Sequence, residues 1–262
     1  VQDGDAGMSG TESITLTNIP EGQTVTIEFE GKTTSSGEYF NVDNIELTAG
    51  GDNVGTDLGS AGTPANWTPD DVIYADGGDD RSGSSSDELM VGGSGNNKLE
   101  GKDGNDELRG GDGEDDLKGG TGNDTLFGGA DNDKLDGEDG NDYLDGGAGN
   151  DDIKGGKGDD IIRGGAGNDI IDGEDGNDLF LFGSGDGDDT IKGGGNGWTD
   201  TIRLENDDGT TLSSDDWTLT LDGGSIQSQD GDSIDLSEDA SGIITLTDGS
   251  EISFEGIERI EW

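Results

Sequence analysis

The 262-residue chain contains no cysteine and no histidine. Without cysteine there is no disulfide framework, no thiolate zinc site and no thiol nucleophile. Without histidine a Ser-His-Asp triad and an imidazole metal site are both excluded. Apolar residues make up 26% of the chain and aromatics 5%. With a formal net charge of -50, this is the composition of a chain that stays disordered in plain water. A conventional two-layer core is not expected over most of the length. Basic residues number 13 against 63 acidic ones, which argues against nucleic acid as a partner, because phosphates need Lys and Arg. No apolar run approaches the ~20 residues that span a membrane. Val1 opens no N-terminal secretory signal, and the chain reads as cut from something longer.

What the chain does have is glycine, 54 residues of it, and aspartate. Residues 1–50 alternate polar and apolar in "SITLTNIPEGQTVTIEFEG" and "YFNVDNIELTAG", as strands do, with turn chemistry at Pro20–Gly22. Residues 51–74 read as a linker around the isolated Trp67, and 75–203 as a repeat zone. Residues 204–262 return to short alternating strands. There "GIITLTDGSEISFEGIERIEW" reads as a hairpin turning at Asp248–Gly249, followed by one more strand.

From Gly92 to Leu181 the chain divides without a gap into ten nine-residue units. Position one is always Gly, and position four is Gly except at Asp131. Position six holds Asn97, Asp106, Asp115, Asp124, Asp133, Asp142, Asp151, Asp160, Asp169 and Asp178. Position eight holds Leu99, Leu108, Leu117, Leu126, Leu135, Leu144, Ile153, Ile162, Ile171 and Phe180. Worn units flank the array. "SGDGDDTIK" supplies Asp189 and Ile191, "GNGWTDTIR" supplies Asp200 and Ile202, and "SGSSSDELM" supplies Asp87 and Leu89.

Written G-G-x-G-x-D-x-U-x with U apolar, the unit assigns a task to each position. Its last three residues alternate out, in, out as a short strand. Position nine mixes Glu100, Arg109, Lys118, Asp136, Lys154 and Arg163, so its identity is expected to matter little. The first six residues form a turn, where glycine permits positive φ and close backbone approach. Their carbonyls and the position-six carboxylate offer oxygen alone, the ligand set of a hard cation. Flexible, oxygen-rich loops suit Ca²⁺ better than Mg²⁺. Two units make one coil, and units n and n+2 share an ion. The predicted metal ligands are Asp87, Asn97, Asp106, Asp115, Asp124, Asp133, Asp142, Asp151, Asp160, Asp169, Asp178, Asp189 and Asp200, for roughly eight to ten Ca²⁺ ions. One buried aliphatic per nine residues is too little to order the chain alone, so folding and ion binding are expected as one event.

"GGTGNDTLF", "GGAGNDDIK" and "GGAGNDIID" resemble the calcium-binding nonapeptides of the RTX (repeats-in-toxin) family. The resemblance is tight over Gly92–Leu181 and looser over Ser82–Arg203. It implies an all-β fold, a right-handed parallel β-roll with calcium in its turns. It also implies type I secretion and calcium-triggered folding outside the cell. The tail resembles segments that follow the repeats in large RTX exoproteins and adhesins, where they cap the roll near the secretion region. "GTESITLTNIPEGQTV" is similar to strands of the β-sandwich modules of RTX adhesins, and "YFNVDNIELTAG" to a final jelly-roll strand.

Alternative readings carry less. Trp198, Trp217, Phe254 and Trp262 could form a sugar-stacking face, but aromatics at a solenoid's end more often plug it. Acid pairs such as Asp115–Asp116 recur without a partner group, so catalysis is not expected. An ice-binding face needs a recurring Thr at position three, and only Thr121 supplies one. The reading is therefore a monomeric, extracellular calcium-binding module of a bacterial surface adhesin, not an enzyme. Its partners would be calcium, the secretion machinery and, through the parent protein, a cell-surface or glycan ligand. The alternative is an accessory module of a secreted alginate epimerase or protease.

Overall fold

The computed structural model describes residues 12–16, 25–29, 72–75, 78–195, 199–206 and 209–262. Contacts divide the chain into two units, 1–69 and 70–262. In the first, β1 (Glu12–Leu16) and β2 (Val25–Phe29) pair antiparallel with Glu12 opposite Phe29. The turn at Pro20–Gly22, Trp67 and "YFNVDNIELTAG" lie outside the described residues.

In the second unit, two parallel sheets face each other across one file of core side chains. One sheet, here the even sheet, contains β4 (Asp80–Ser82), β6 (Lys98–Asp103), β8 (Asp116–Thr121), β10 (Lys134–Asp139), β12 (Asp152–Lys157), β14 (Ile170–Asp175) and β16 (Asp189–Lys192). The odd sheet contains β3 (Val72–Tyr74), β5 (Leu89–Ser94), β7 (Glu107–Asp112), β9 (Thr125–Ala130), β11 (Tyr143–Ala148), β13 (Ile161–Ala166), β15 (Leu179–Phe182) and β17 (Thr201–Leu204). The chain alternates between sheets, so each residue pairs with the one two units on: Leu117 with Leu135, Leu135 with Ile153. This is the all-β parallel roll that the family resemblance implies. The position-eight residues are its core, at 0–1% exposure from Leu99 to Phe180.

Two boundaries differ from the sequence reading. The roll's first strand is Val72–Tyr74, inside the stretch read as linker, because Ile73 packs against the core file. Strands in the regular coils have six residues, not three, and run from position seven through position three of the next unit. Position-one glycine is thus an inward-facing strand residue, and only positions four to six turn.

The tail closes the roll by joining it. The chain passes through β18 (Trp217–Gly223), β19 (Ile226–Asp230), β20 (Ser233–Leu236) and β21 (Ser241–Leu246). A hairpin at Asp248–Gly249 then leads into β22 (Glu251–Glu255), and β23 (Arg259–Glu261) follows. β22 lies parallel to β16, and β23 parallel to β17. Residues 251–261 are therefore one more coil, laid on the roll after an excursion of some fifty residues. The excursion pairs antiparallel with that coil and carries an ordinary apolar core: Leu236, Ile244, Leu246, Ile252, Phe254, Ile257 and Ile260 are buried. The rings of Trp217 and Trp262 pack 4.9 Å apart within it. Trp198 lies outside the described residues.

Candidate metal centre

Position six of every second unit falls on the same edge of the roll, which produces two columns of carboxylates. Asn97, Asp115, Asp133, Asp151, Asp169 and Asp189 line one edge, and Asp106, Asp124, Asp142, Asp160, Asp178 and Asp200 the other. Each side chain is buried, 1–3% exposed. In each column the backbone N–H of one residue donates to Oδ1 of the next. Asp115 N–H reaches Asp133 Oδ1 at 2.8 Å, and Asp124 N–H reaches Asp142 Oδ1 at 2.7 Å.

The second oxygen is left over. Oδ2 of Asp106, Asp115, Asp124, Asp133, Asp142, Asp151, Asp160, Asp169, Asp178 and Asp189 is buried without a hydrogen-bond partner, as is Oδ1 of Asn97. A buried polar atom without a partner is costly, and a buried unpaired charge far more so. Position-one glycine shapes the space around that oxygen. A Cβ added at Gly128 would meet Asp133 Oδ2 at 2.5 Å and the Gly146 carbonyl oxygen at 2.5 Å. The same cradle recurs at Gly101, Gly110, Gly119, Gly137, Gly146, Gly155 and Gly173. Among the described residues no three acidic side chains converge on a point. The donors that stand together at these edges are the free aspartate oxygen and the carbonyl oxygen of a position-one glycine.

Electrostatics agree. Burial pushes Asp142, Asp178 and Asp189 up to about 8, and Asp106, Asp133, Asp160 and Asp169 to about 7. It raises Asp115, Asp124 and Asp200 to about 6, and Asp151 upward as well. The donated backbone N–H opposes the shift at each, and neighbouring column carboxylates add to it at most. No lysine or arginine stands at position five or six. The donor set is carboxylate plus carbonyl oxygen, buried and uncompensated, and it fits a hard divalent cation.

Eleven of the predicted carboxylates and Asn97 stand in the columns, and one prediction is corrected. Asp87 is exposed, and its Oδ1 accepts the Asn105 N–H at 2.8 Å. The column residue is Glu88, whose N–H donates to Asp106 Oδ1 at 2.7 Å. The first unit is shifted by one residue: Met90, not Leu89, pairs with Leu108. Both Leu89 and Met90 are apolar, so the core pattern alone cannot choose between them. The shifted frame recovers a position-one glycine, Gly83, and that was the available signal. Glu88 differs from the aspartates in that its carboxylate accepts the N–H and hydroxyl of Ser84.

Sequence reasoning also missed Glu258. It occupies the next column place after Asp200, and its Oε2 accepts the Asp200 N–H at 2.9 Å. The run Arg259-Ile260-Glu261 that follows matches the end of a unit, although the turn before it is shortened. On the other edge Ile252 pairs with Asp189 and ends that column with an aliphatic.

Position five proved structural. Asn105 Oδ1 accepts the Asn123 N–H at 2.8 Å, Asn123 Oδ1 that of Asn141 at 2.9 Å, and Asn150 Oδ1 that of Asn168 at 2.7 Å. This ladder runs opposite in sense to the aspartate one beside it, so both faces of each turn are tied to the next coil.

A parallel roll with an under-satisfied carboxylate column on each edge is a repeat protein built to take up cations. The RTX calcium-binding nonapeptide repeat, in four copies, matches residues 82–117, 91–126, 118–153 and 145–180. Residues 82–180 belong to that family of calcium-binding repeats. No curated protein matches the chain.

Proposed function

We propose that this chain is the calcium-dependent C-terminal roll of a type I-secreted bacterial surface adhesin, acting outside the cell as a binding and structural module rather than an enzyme. The observation that carries the calcium part is the set of ten buried aspartate oxygens without partners. Ca²⁺ bound between stacked turns would give each a partner and cancel the mutual repulsion of the column. Because the ligands belong to different coils, binding and folding are coupled. In a calcium-poor cytosol the chain stays unfolded and passes a secretion channel. In millimolar calcium it folds, and the tail covers the last coil and so protects an open sheet edge.

The adhesin and secretion parts rest on the resemblance of the tail and of the N-terminal strands to the corresponding parts of RTX adhesins. Among the described residues no helix is long and apolar enough to cross a membrane. A single folded chain is the expected state in solution.

Circular dichroism with calcium, and then with excess chelator, tests the coupling. Strand signal is expected with calcium and its loss with chelator. A protein equally folded in both defeats the proposal. Calorimetric titration is expected to count eight to ten ions.

A further inference from the structure

The units of this roll are nearly interchangeable along the features that stabilise it. Every core residue from Leu99 to Ile171 is Leu or Ile, and every column residue from Asp106 to Asp178 is Asp. Such a chain can skip a coil. If eighteen residues loop out, β6 can pair with β10, and the core and both columns still match. Something else must specify which strand is the neighbour.

The outer face of the even sheet carries that information. At position seven the strands present Asp80, Lys98, Asp116, Lys134 and Asp152 in order, each directly opposite the next. At position nine they present Glu100, Lys118, Asp136, Lys154, Asp172, Lys192 and Glu255, again each opposite the next. The sign alternates at every step, and within β6, β8, β10 and β12 the two positions carry opposite signs. The last member, Glu255, comes from the tail, so the closing coil obeys the same pattern. Ion pairs form along it, Lys98 with Asp116 at 2.6 Å and Lys118 with Asp136 at 3.6 Å, and two row lysines also reach position-two carboxylates beside the rows, Lys118 to Glu138 at 3.1 Å and Lys154 to Glu174 at 3.0 Å.

We infer that this checkerboard is a register lock that selects the correct neighbouring coil and rejects the skip of one coil. Opposite charges directly across a strand pair stabilise it and like charges destabilise it. Skipping the coil of β8 places Lys98 against Lys134, Glu100 against Asp136 and Asp103 against Asp139. Skipping that of β10 places Asp116 against Asp152 and Lys118 against Lys154. Skipping that of β12 places Asp136 against Asp172, Glu138 against Glu174 and Asp139 against Asp175. Each of these three errors aligns like signs at two or more positions, against one opposite pair created by the first, Lys102 with Glu138. Skipping the coil of β6, β14 or β16 aligns one like pair, Asp80 with Asp116, Lys154 with Lys192 or Asp172 with Glu255. A two-coil error restores the alternation, but forfeits thirty-six residues of core and column. The odd sheet has no such alternation, with Arg109, Phe127, Asp145, Arg163 and Leu181 in succession at position nine. One coded face suffices, because both faces belong to the same coils.

The test is a distance across the even sheet. The chain has no cysteine, so Ser82→Cys with Asp175→Cys gives two unique spin-label sites, on β4 and β14. In the calcium-loaded full chain at low ionic strength, five strand steps of ~4.8 Å and an offset of three residues along the strand separate them, about 26 Å in all. A single distance is expected. Adding Asp152→Lys, Lys154→Asp, Asp172→Lys, Lys192→Asp and Glu255→Lys inverts both rows from β12 on, so like signs meet between β10 and β12, and looping out the coil of β10 restores opposite signs between β8 and β12. A second population about 4 Å shorter is expected. Inverting the sign at all twelve charged sites of the two rows, from Asp80 to Glu255, keeps the alternation and is expected to return the single parent distance. If the variant inverted from β12 on keeps the parent's single distance, the lock is refuted. If that variant fails to fold, the fully inverted chain decides: its folding with one distance supports the lock, and its failure or heterogeneity overturns it.

Discussion

The edges of the roll and its even face are both crowded with acid, and they dispose of it in opposite ways. On the even face each carboxylate of the position-seven and position-nine rows lies across from a lysine, and the chain supplies its own counter-charge. At the edges the carboxylates stack on one another, one oxygen on a backbone N–H and the other on nothing the protein provides. Exposed carboxylates on a face are hydrated and cheap, so pairing there is free to encode neighbour choice. Buried carboxylates are costly, so the edges offer their free oxygens to an outside cation, on which the proposed function makes the fold depend. The same residue type thus serves specification in one place and dependence in the other.

The largest expected effect separates the two by pH. The edge aspartates, raised to about 6–8 in the folded roll, titrate near 3.9 when unfolded. A raised folded value means that the folded state binds more protons between these limits. Their contribution is fully present below about 4 and is lost as pH rises through 6–8. Calcium-free protein should therefore gain strand signal on acidification from pH 8 to 4, by circular dichroism. Calcium affinity should run the other way, falling as pH drops through 8 to 6, because protons compete for the same oxygens. The face charges predict neither trend.

A smaller effect is expected from Asp142→Ala. It removes the acceptor of the Asp124 N–H, a buried charge-assisted hydrogen bond of about 1.5–3 kcal/mol, and at least one ion from the calorimetric count. Both a raised calcium midpoint and the lower count are expected. An unchanged count would mean that Asp142 is no ligand. The smallest effect belongs to Lys118→Gln, which breaks partly exposed pairs with Asp136 and Glu138. Such pairs are worth about 0–1 kcal/mol, so thermal melts in saturating calcium should barely move and the ion count should not change.

Much of this was legible in the letters. The inward Leu or Ile and the aspartate two residues before it recur every nine residues, and only a two-strand coil satisfies that spacing. Asp189 and Asp200 were found despite insertions, because the D-x-I signature survives them. Other features were hidden. Position nine looks random when read every nine residues, because successive units lie on different sheets. Its alternation emerges only when residues eighteen apart are compared, the spacing at which strands pair. The one-residue shift at Glu88 was hidden by two adjacent apolar residues. Glu258 was hidden because 58 residues separate it from Asp200, the residue it follows in the column.

The sequence by itself determined the period, the core file, the turn chemistry and an all-oxygen donor set suited to a divalent cation, because each arises from local spacing and from the residue types at fixed positions. The tertiary structure alone decided which carboxylates become buried columns, which become a charge-coded face, and how the tail re-enters as the closing coil. Those depend on which residues face each other across strands, and a nine-residue phrase cannot say which of its copies will be the neighbour.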